Sequence, residues 1–257
     1  MLTFKNTNRF FGVLLLFLLG YDFFYPVPLF LYIIVLIAYT GILFYGSYFV
    51  HSNFYLPVTC AAKTNQKEIA FSFDDGPADR YTESILKILK EHQVESAFFC
   101  IGKNIHGREQ VLKQIHAEGH MIGNHSYTHG PLFDLLSPAR MLADLQLMDQ
   151  VMSEVLSLRP RLFRPPYGVT NPNLAQAIRK GGYVPVGWSI RSLDTVNRDE
   201  KRLFKKITGS LRPGAIILFH DTSQTTLAIL PALIRYVKEK GYEITRLDKL
   251  LKLDPYV

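Results

Sequence analysis

Two adjacent carboxylates, Asp74 and Asp75, stand at the end of the alternating apolar run 69–73 and directly before Gly76-Pro77. Neighbouring carboxylates repel, so ionising both is unfavourable unless a cation sits between them or one keeps its proton. Asp75-Gly76-Pro77 also satisfies the residue preferences of an ordinary turn, and taken alone the pair reads either way. His125 and His129 are a second pair of chemically capable groups. They stand four residues apart in His125-Ser-Tyr-Thr-His129, so a helical turn or tight loop aims both imidazoles the same way. One carboxylate would then complete a facial Asp-His-His metal site with positions open to water. His120 has no partner at such spacing and reads as structural.

The elements that must position these groups follow from periodicity. Strands are predicted at 69–73, 97–101, 121–123, 162–163, 184–190, 215–219 and 242–247. Between them, amphipathic helices are predicted at 82–92, 110–117, 138–158, 172–181, 199–207 and 227–240. Ser137 and Asn171 serve as N-caps, and Gly119, Gly181-Gly182 and Gly241 close helices. About seven strands alternating with helices imply parallel pairing through right-handed crossovers, in an open sheet or a barrel. In either architecture functional groups gather at the carboxyl ends of the strands. The residues that follow the predicted strands include Asp74 and Asp75, His125 and His129, Arg164 and Tyr167, Asp194, and His220 with Asp221. Each is a group that catalysis can use.

The front of the chain differs in kind. Between residues 10 and 50 the only charged residue is Asp22. The uncharged run 29–50 would be about 33 Å long as a helix, enough to cross a bilayer core. The run 10–25 is shorter, but Tyr25-Pro26-Val27-Pro28 behind it suits a tight turn and hence a helical hairpin. A cleaved signal peptide is the competing reading. No small-x-small cleavage site follows Leu19, which favours an anchor. The chain therefore divides into a membrane anchor over 1–52 with one or two transmembrane helices, a linker over 53–68 and a catalytic domain over 69–257. If both helices cross, Lys5 and Arg9 place the domain on the cytoplasmic face of the cell membrane; if one crosses, the domain faces outward. The hairpin, and so the cytoplasmic face, is the expectation.

The net charge of +7 is spread without a basic run, and no basic residues interleave with aromatics as in nucleic-acid grooves. Nucleic acid is excluded as a partner, and an anionic membrane surface or substrate is favoured. Two cysteines, Cys60 and Cys100, form no disulfide framework, and Cys100 within the apolar run 97–101 reads as a packed core thiol.

Four motifs together carry a resemblance. Phe73-Asp74-Asp75-Gly76-Pro77, His125-Ser-Tyr-Thr-His129, Arg164-Pro-Pro-Tyr167 and Leu218-Phe-His220 resemble, in their usual order, those of the polysaccharide deacetylase family, the NodB-like carbohydrate esterases. The resemblance runs from about residue 69 to 250. It implies an α/β fold, a distorted (β/α) barrel with fewer than eight full repeats, and a divalent metal, usually zinc, that activates water to remove an N- or O-acyl group from a sugar. Carried over, Asp75, His125 and His129 are the expected metal ligands and Asp74 the general base, held ionised by Arg164. The Tyr167 backbone N–H is the expected oxyanion donor, and His220 the general acid, oriented by Asp194.

The sequence departs from the family in Arg191-Ser-Leu-Asp194-Thr195, where Asp-x-x-Asp-Trp is common. Asp194 survives, whereas an apolar wall beside the acyl group is put in doubt. Trp188, the only tryptophan, could supply aromatic surface to the substrate or belong to the core. Arg191 could read an anionic substrate group, or pair with Asp194 or Asp199. The expected function is a membrane-anchored, metal-dependent deacetylase of an N-acylated glycan or lipid-linked sugar. The alternatives are a catalytically silent glycan-binding barrel and a metal-dependent hydrolase of a non-sugar amide.

Overall fold

The computed structural model describes residues 2–257. Helix α1 (Phe4–Asp22) is N-capped by the Thr3 hydroxyl, and α2 (Leu29–Tyr48) follows it. The apolar run predicted from residue 10 thus begins as helix earlier, at Phe4, and takes Lys5, Asn6, Asn8 and Arg9 into its first turns. Asp22 serves the turn between the helices, accepting from the Val27 N–H at 2.5 Å. The two helices pack side by side: the Tyr39 hydroxyl donates to Asn8 Oδ1 at 3.0 Å and the Phe11 ring lies against Tyr39. Among the described residues α2 alone is long and apolar enough to cross a membrane, with a mean hydropathy of 2.2. Phe4 donates its N–H to Phe54 O at 3.0 Å, so the start of α1 meets the chain where it leaves α2.

The stretch expected to be a linker is packed. Val50, Leu56 and Val58 are buried in one cluster with Phe163, Leu174 and Tyr183. Thr59 and Ala61 form bridges to Val186 and Ala215. Beyond it, β1 (Glu68–Asp74) leads through α3 (Tyr81–Glu91) to β2 (Ala97–Cys100). The short α4 (Gly102–Ile105) and α5 (Glu109–Ala117) precede β3 (Met121–Asn124), and α6 (Pro138–Leu156) precedes β4 (Leu162–Phe163). Next come α7 (Pro172–Gly181), β5 (Val184–Pro185), β6 (Ile190–Arg191), α8 (Glu200–Gly209) and β7 (Ile216–His220). The chain ends with α9 (Gln224–Glu239), β8 (Glu243–Ile244) and α10 (Leu247–Leu251). Ser137, Asn171 and Asp199 each cap their helix through a side-chain oxygen.

Seven parallel strands in the order β5-β4-β3-β2-β1-β7-β6 curl into a half-barrel, with β8 pairing in parallel at the start of β1. β1 lies between β2 and β7, and the period of two along it sorts its side chains. Phe71 and Phe73 face the helices and join Ile85, Leu89, Phe98 and Phe219 in the larger core. Each such burial is worth about 1.5–3 kcal/mol. Ala70, Ser72 and Asp74 alternate onto the other face, where the smaller core of Ala70, Phe99, Leu162 and Ile216 fills the barrel. Asp74 is therefore delivered inward by β1, and Asp75 begins the turn.

Two predicted strands differ in the structure. The stretch 184–190 is not one strand: β5 pairs with β4 at one edge of the sheet and β6 with β7 at the other. Residues 186–189 cross the open seam of the half-barrel. Val186 still donates to Phe163 O, but the next donor, Gly187, turns to Thr59 O, and a Cβ at Gly187 would fall 2.7 Å from Cys60 Sγ. The predicted strand 242–247 is only Glu243–Ile244, because the chain turns at once into α10.

Candidate active site

Arg164, in the loop after β4, is fully buried inside the half-barrel. Its Nη1 donates to Asp74 Oδ1 and to Ser72 Oγ, each at 2.8 Å, and its Nη2 and Nε donate to the carbonyls of Gly187 at 2.9 Å and Val186 at 3.3 Å. The guanidinium also lies over the Phe99 ring, 4.1 Å from its centroid. Burial lowers the Arg164 pKa and the Asp74 charge opposes the loss. A buried charge pair of this kind is sustained only when its remaining hydrogen-bonding groups are satisfied, and the seam carbonyls meet that need.

Asp75, His125 and His129 converge beside this pair. Asp75 Oδ1 lies 3.5 Å from His125 Nε2 and 3.6 Å from His129 Nε2. One ligand atom from each of the three falls within 4.8 Å of the others, a donor set that suits a divalent cation. His125 donates from Nδ1 to Arg164 O at 2.8 Å, which turns Nε2 toward the carboxylate. Burial alone would lower the His125 pKa, but Asp74 and Asp75 raise it; a cation among these carboxylates would take the place of that proton. Burial and the neighbouring His125 lower the His129 pKa to about 4, so its ring is neutral and its lone pair available. Burial opposes ionisation of Asp75, yet the three imidazoles hold its pKa at about 2. Asp75, Ser126, His129 and Tyr167 all have positive φ, a concentration of constrained backbone at one place. Gly76 is required here because a Cβ would fall 2.0 Å from Asp221 Oδ2.

His220, at the end of β7, approaches Asp75 from another side, with Nε2 4.0 Å from Asp75 Oδ2. Its Nδ1 lies 2.7 Å from Asp194 Oδ1, and its backbone N–H donates to Asp194 Oδ2. Asp194 also accepts from the Ser192 and Thr226 hydroxyls. Burial would lower the His220 pKa, but the bond to Asp194 and the surrounding carboxylates raise it to about 9. Tyr167 is half exposed over the cluster, its ring against His129 and its hydroxyl donating to His129 O at 3.2 Å.

The structure thus gathers Asp74, Asp75, His125, His129, Arg164, Tyr167, Asp194 and His220 at the carboxyl ends of the strands. Trp188 lies in the seam, with the Arg164 guanidinium 5.9 Å from its ring centroid and that of Arg191 5.7 Å from it. Arg191 pairs with neither Asp194, which His220 engages, nor Asp199, which Arg202 engages. His120 stands apart, its Nδ1 accepting from the Ser96 N–H. Cys100 is a buried free thiol.

Several supporting residues have no motif of their own. Asp144 on α6 accepts from the N–H groups of Tyr127 and Thr128 and from the Thr128 hydroxyl, bracing the loop between the two histidines. Asn124 accepts from the Ser126 N–H and donates to Asp149, and Ser126 Oγ accepts from the His129 N–H. Asp221, fully buried, accepts from the Thr82 hydroxyl at 2.6 Å, and that hydroxyl accepts from the Ala78 N–H. The signal that could have found Ser72 and Asp144 is a polar residue on an otherwise apolar face.

A family model for polysaccharide deacetylases matches residues 61–186. A peptidoglycan-N-acetylglucosamine deacetylase of Bacillus cereus is 33% identical over 199 residues, which cover 72% of this chain and 72% of that protein. The chain belongs to the polysaccharide deacetylase family. The peptidoglycan-N-acetylglucosamine deacetylase PgdA of Listeria monocytogenes is 32% identical over 202 residues, 79% of this chain, and the chain spans only 42% of that relative's length. Among solved structures, a peptidoglycan N-acetylglucosamine deacetylase in complex with a naphthalenyl N-oxidanyl-benzamide superposes with a TM-score of 0.73 at 27% identity, over 77% of this chain and 94% of that one. A carbohydrate esterase family 4 pseudoenzyme from Bacillus anthracis superposes with a TM-score of 0.70 at 26% identity, over 75% of this chain and 68% of that one. These structures share the half-barrel architecture.

Proposed function

We propose that this chain is a divalent-metal-dependent deacetylase that hydrolyses an N-linked, or less favourably O-linked, acetyl group on a glycan or lipid-linked sugar at the membrane. One observation carries the reading: two differently partnered proton-transfer groups, Asp74 with Arg164 and His220 with Asp194, flank the Asp75–His125–His129 cluster. Asp75, His125 and His129 would hold the ion, and zinc is our choice because two imidazoles and a carboxylate suit it. When bound, it supplies Lewis acidity, lowering the pKa of water and polarising the acyl carbonyl.

The chain's own residues do the rest. Asp74 Oδ2, free of Arg164, accepts the proton of the attacking water, and the guanidinium fixes the carboxylate through Oδ1. The Tyr167 backbone N–H donates to the oxygen that gains charge as the water oxygen bonds to the acyl carbon. His220 delivers its proton from Nε2 to the departing nitrogen as the carbon–nitrogen bond breaks, and Asp194 fixes the Nδ1–H tautomer. Acetate and an amino sugar leave. Trp188 and Arg191 border the site and serve substrate binding.

Within this reading residues 1–52 anchor the chain, 53–68 connect and 69–257 catalyse. If α1 crosses together with α2, the contact of Phe4 with Phe54 brings Lys5 and Arg9 to the catalytic end of the pair, which favours the cytoplasmic face of the cell membrane; if α2 crosses alone, the domain faces outward. A reporter fused after Val257 tests this: a cytoplasmic signal supports a lipid-linked precursor as substrate, an external one the assembled polymer.

The test of activity is acetate release from acetylated amino-sugar oligomers and lipid-linked N-acetyl sugars by detergent-solubilised, zinc-loaded protein. A metal-bound protein that releases none from any of them would sink the proposal. Because a fold neighbour is a pseudoenzyme, family membership does not decide turnover. Asp74→Asn separates the two cases: an enzyme loses turnover while retaining metal, and a silent glycan-binding barrel loses nothing measurable. Inhibition by competing sugars distinguishes a glycan substrate from a non-sugar amide.

A further inference from the structure

The seam between β5 and β6 also opens into a groove of about 560 Å³, whose lining includes none of Asp74, Asp75, His125, His129 and His220. Tyr48, Phe49 and His51, where the chain leaves α2, form one wall, and Trp188, Arg191 and Arg212 form the other. A volume of this size is in the range of small-ligand sites.

Its charge is uncompensated. No carboxylate lines it, and neither arginine takes part in an ion pair among the described residues. Arg212 is pre-oriented, donating from Nη2 to Ser189 O at 3.0 Å and from Nη1 to Ser210 O at 3.4 Å. Arg191, exposed at the end of β6, has no hydrogen-bond partner among the described residues; its guanidinium rests against Trp188. Burial and then the Arg191 charge lower the pKa of nearby Lys206, so a further cation stands close by. Two planar guanidiniums with free donors favour a phosphate or carboxylate bound through two oxygens.

Its level is also fixed. Tyr48 is the last residue of α2, the one helix among the described residues both long and apolar enough to cross a membrane, and Tyr45, Tyr48 and Phe49 pack as an aromatic cluster there. Aromatic rings at a span's end sit at headgroup depth, and anionic lipids draw basic groups to that surface. Phosphate chemistry and bilayer depth coincide in one groove.

We propose that this groove holds the headgroup of an anionic phospholipid, with Arg191 and Arg212 on its phosphate and Tyr48, Phe49 and Trp188 against its glycerol and first acyl carbons. The proposal rests on the reading of α2 as a membrane span. It also gives Trp188 two neighbours: the Arg164 that holds Asp74 on one hand and the lipid site on the other.

The single tryptophan makes the site readable. Dioctanoyl phosphatidylglycerol titrated into the full chain in neutral detergent is expected to change Trp188 fluorescence saturably, while dioctanoyl phosphatidylcholine and inorganic phosphate at equal concentration do not. Arg191→Gln with Arg212→Gln is expected to weaken the response about tenfold or more, the loss of hydrogen bonds to a charged group. If that double variant does not fold by circular dichroism, Arg191→Gln alone carries the comparison. An equal response to phosphatidylcholine, an equal response to inorganic phosphate, or an unchanged response in the folded variant overturns the proposal. Retention of the chain in phosphatidylcholine vesicles under alkaline wash reports the span separately. Retention without a Trp188 response overturns the headgroup site alone; loss of retention overturns the span and the proposal with it.

Discussion

Arg164 Nη1 stands 2.8 Å from Asp74 Oδ1 with both side chains out of solvent, and the rest of the guanidinium is bound to Ser72 and two seam carbonyls. Removing the arginine therefore strands a buried carboxylate. Arg164→Met is expected to destabilise the fold by about 3–5 kcal/mol at neutral pH. Adding Asp74→Asn should recover part of that loss, because the stranded charge is gone. Urea midpoints of the two single variants and the double variant, taken as a cycle, measure the coupling. Simple additivity would show that the pair is not a unit.

His220 bonded to Asp194 predicts a pH signature of opposite sign to that of an ordinary carboxylate. Its folded-state pKa is raised to about 9 from an ordinary 6.5. The contact stabilises the fold fully below about 6.5, and the contribution disappears as pH rises through 9. A general acid must carry its proton, so the alkaline limb of the rate profile should lie near 9 in the native chain. Asp194→Asn should move that limb toward 6.5 and lower the maximal rate by about 10²-fold or more. A limb that stays in place would remove His220 from the role of acid.

Much of this site is legible in the sequence because its groups sit at strand ends, where the period of two and the break to turn residues mark them. Asp74-Asp75, Arg164 and His220 each follow an apolar run whose pattern survives in β1, β4 and β7. The stretch 184–190 is less readable. Val, Pro, Gly and Trp give it a strand's apolarity, but only the closure of the sheet decides that β5 and β6 lie on opposite edges and that residues 186–189 cross the seam. The carbonyls that hold Arg164 come from that crossing, and main-chain groups leave no residue signature. Asp144 leaves a weaker trace: it lies on the buried face of α6 with Met141, Leu145 and Met148, a polar residue among apolar ones, but only the packing of α6 beneath the histidine loop shows which groups it holds.

Asp144 accepts three hydrogen bonds from the loop that joins His125 to His129. It touches neither ring, so it acts by positioning. Asp144→Ala is expected to weaken zinc affinity about 10–100-fold, the usual scale for partners of ligand-bearing groups. Asp144→Asn, which keeps one acceptor, should fall between. Calorimetric zinc titration checks the order, and thermal melts of the metal-free variants separate it from global destabilisation. Equal zinc affinity in all three proteins would make Asp144 a fold residue only.

Asp221 is a buried acid that takes no part in the proposed chemistry. It is fully buried, its Oδ1 lacks a partner among the described residues, and burial raises its pKa to about 7 from an ordinary 3.8. The folded chain therefore binds this proton more tightly than the unfolded chain does. Stability contributed at this position should decline as pH rises from about 4 to 7 and remain reduced above it. Asp221→Asn keeps an acceptor for the Thr82 hydroxyl and carries no charge, so its stability relative to the native chain should improve steadily over that window. At pH 4 the two should be close; at pH 8 the variant should be the more stable by about 1 kcal/mol or more. Urea unfolding at both pH values decides it. A variant equally destabilised at each would mean that Asp221 is ionised and paired in the folded state, and that its carboxylate rather than its shape supports Gly76 and the turn carrying Asp75.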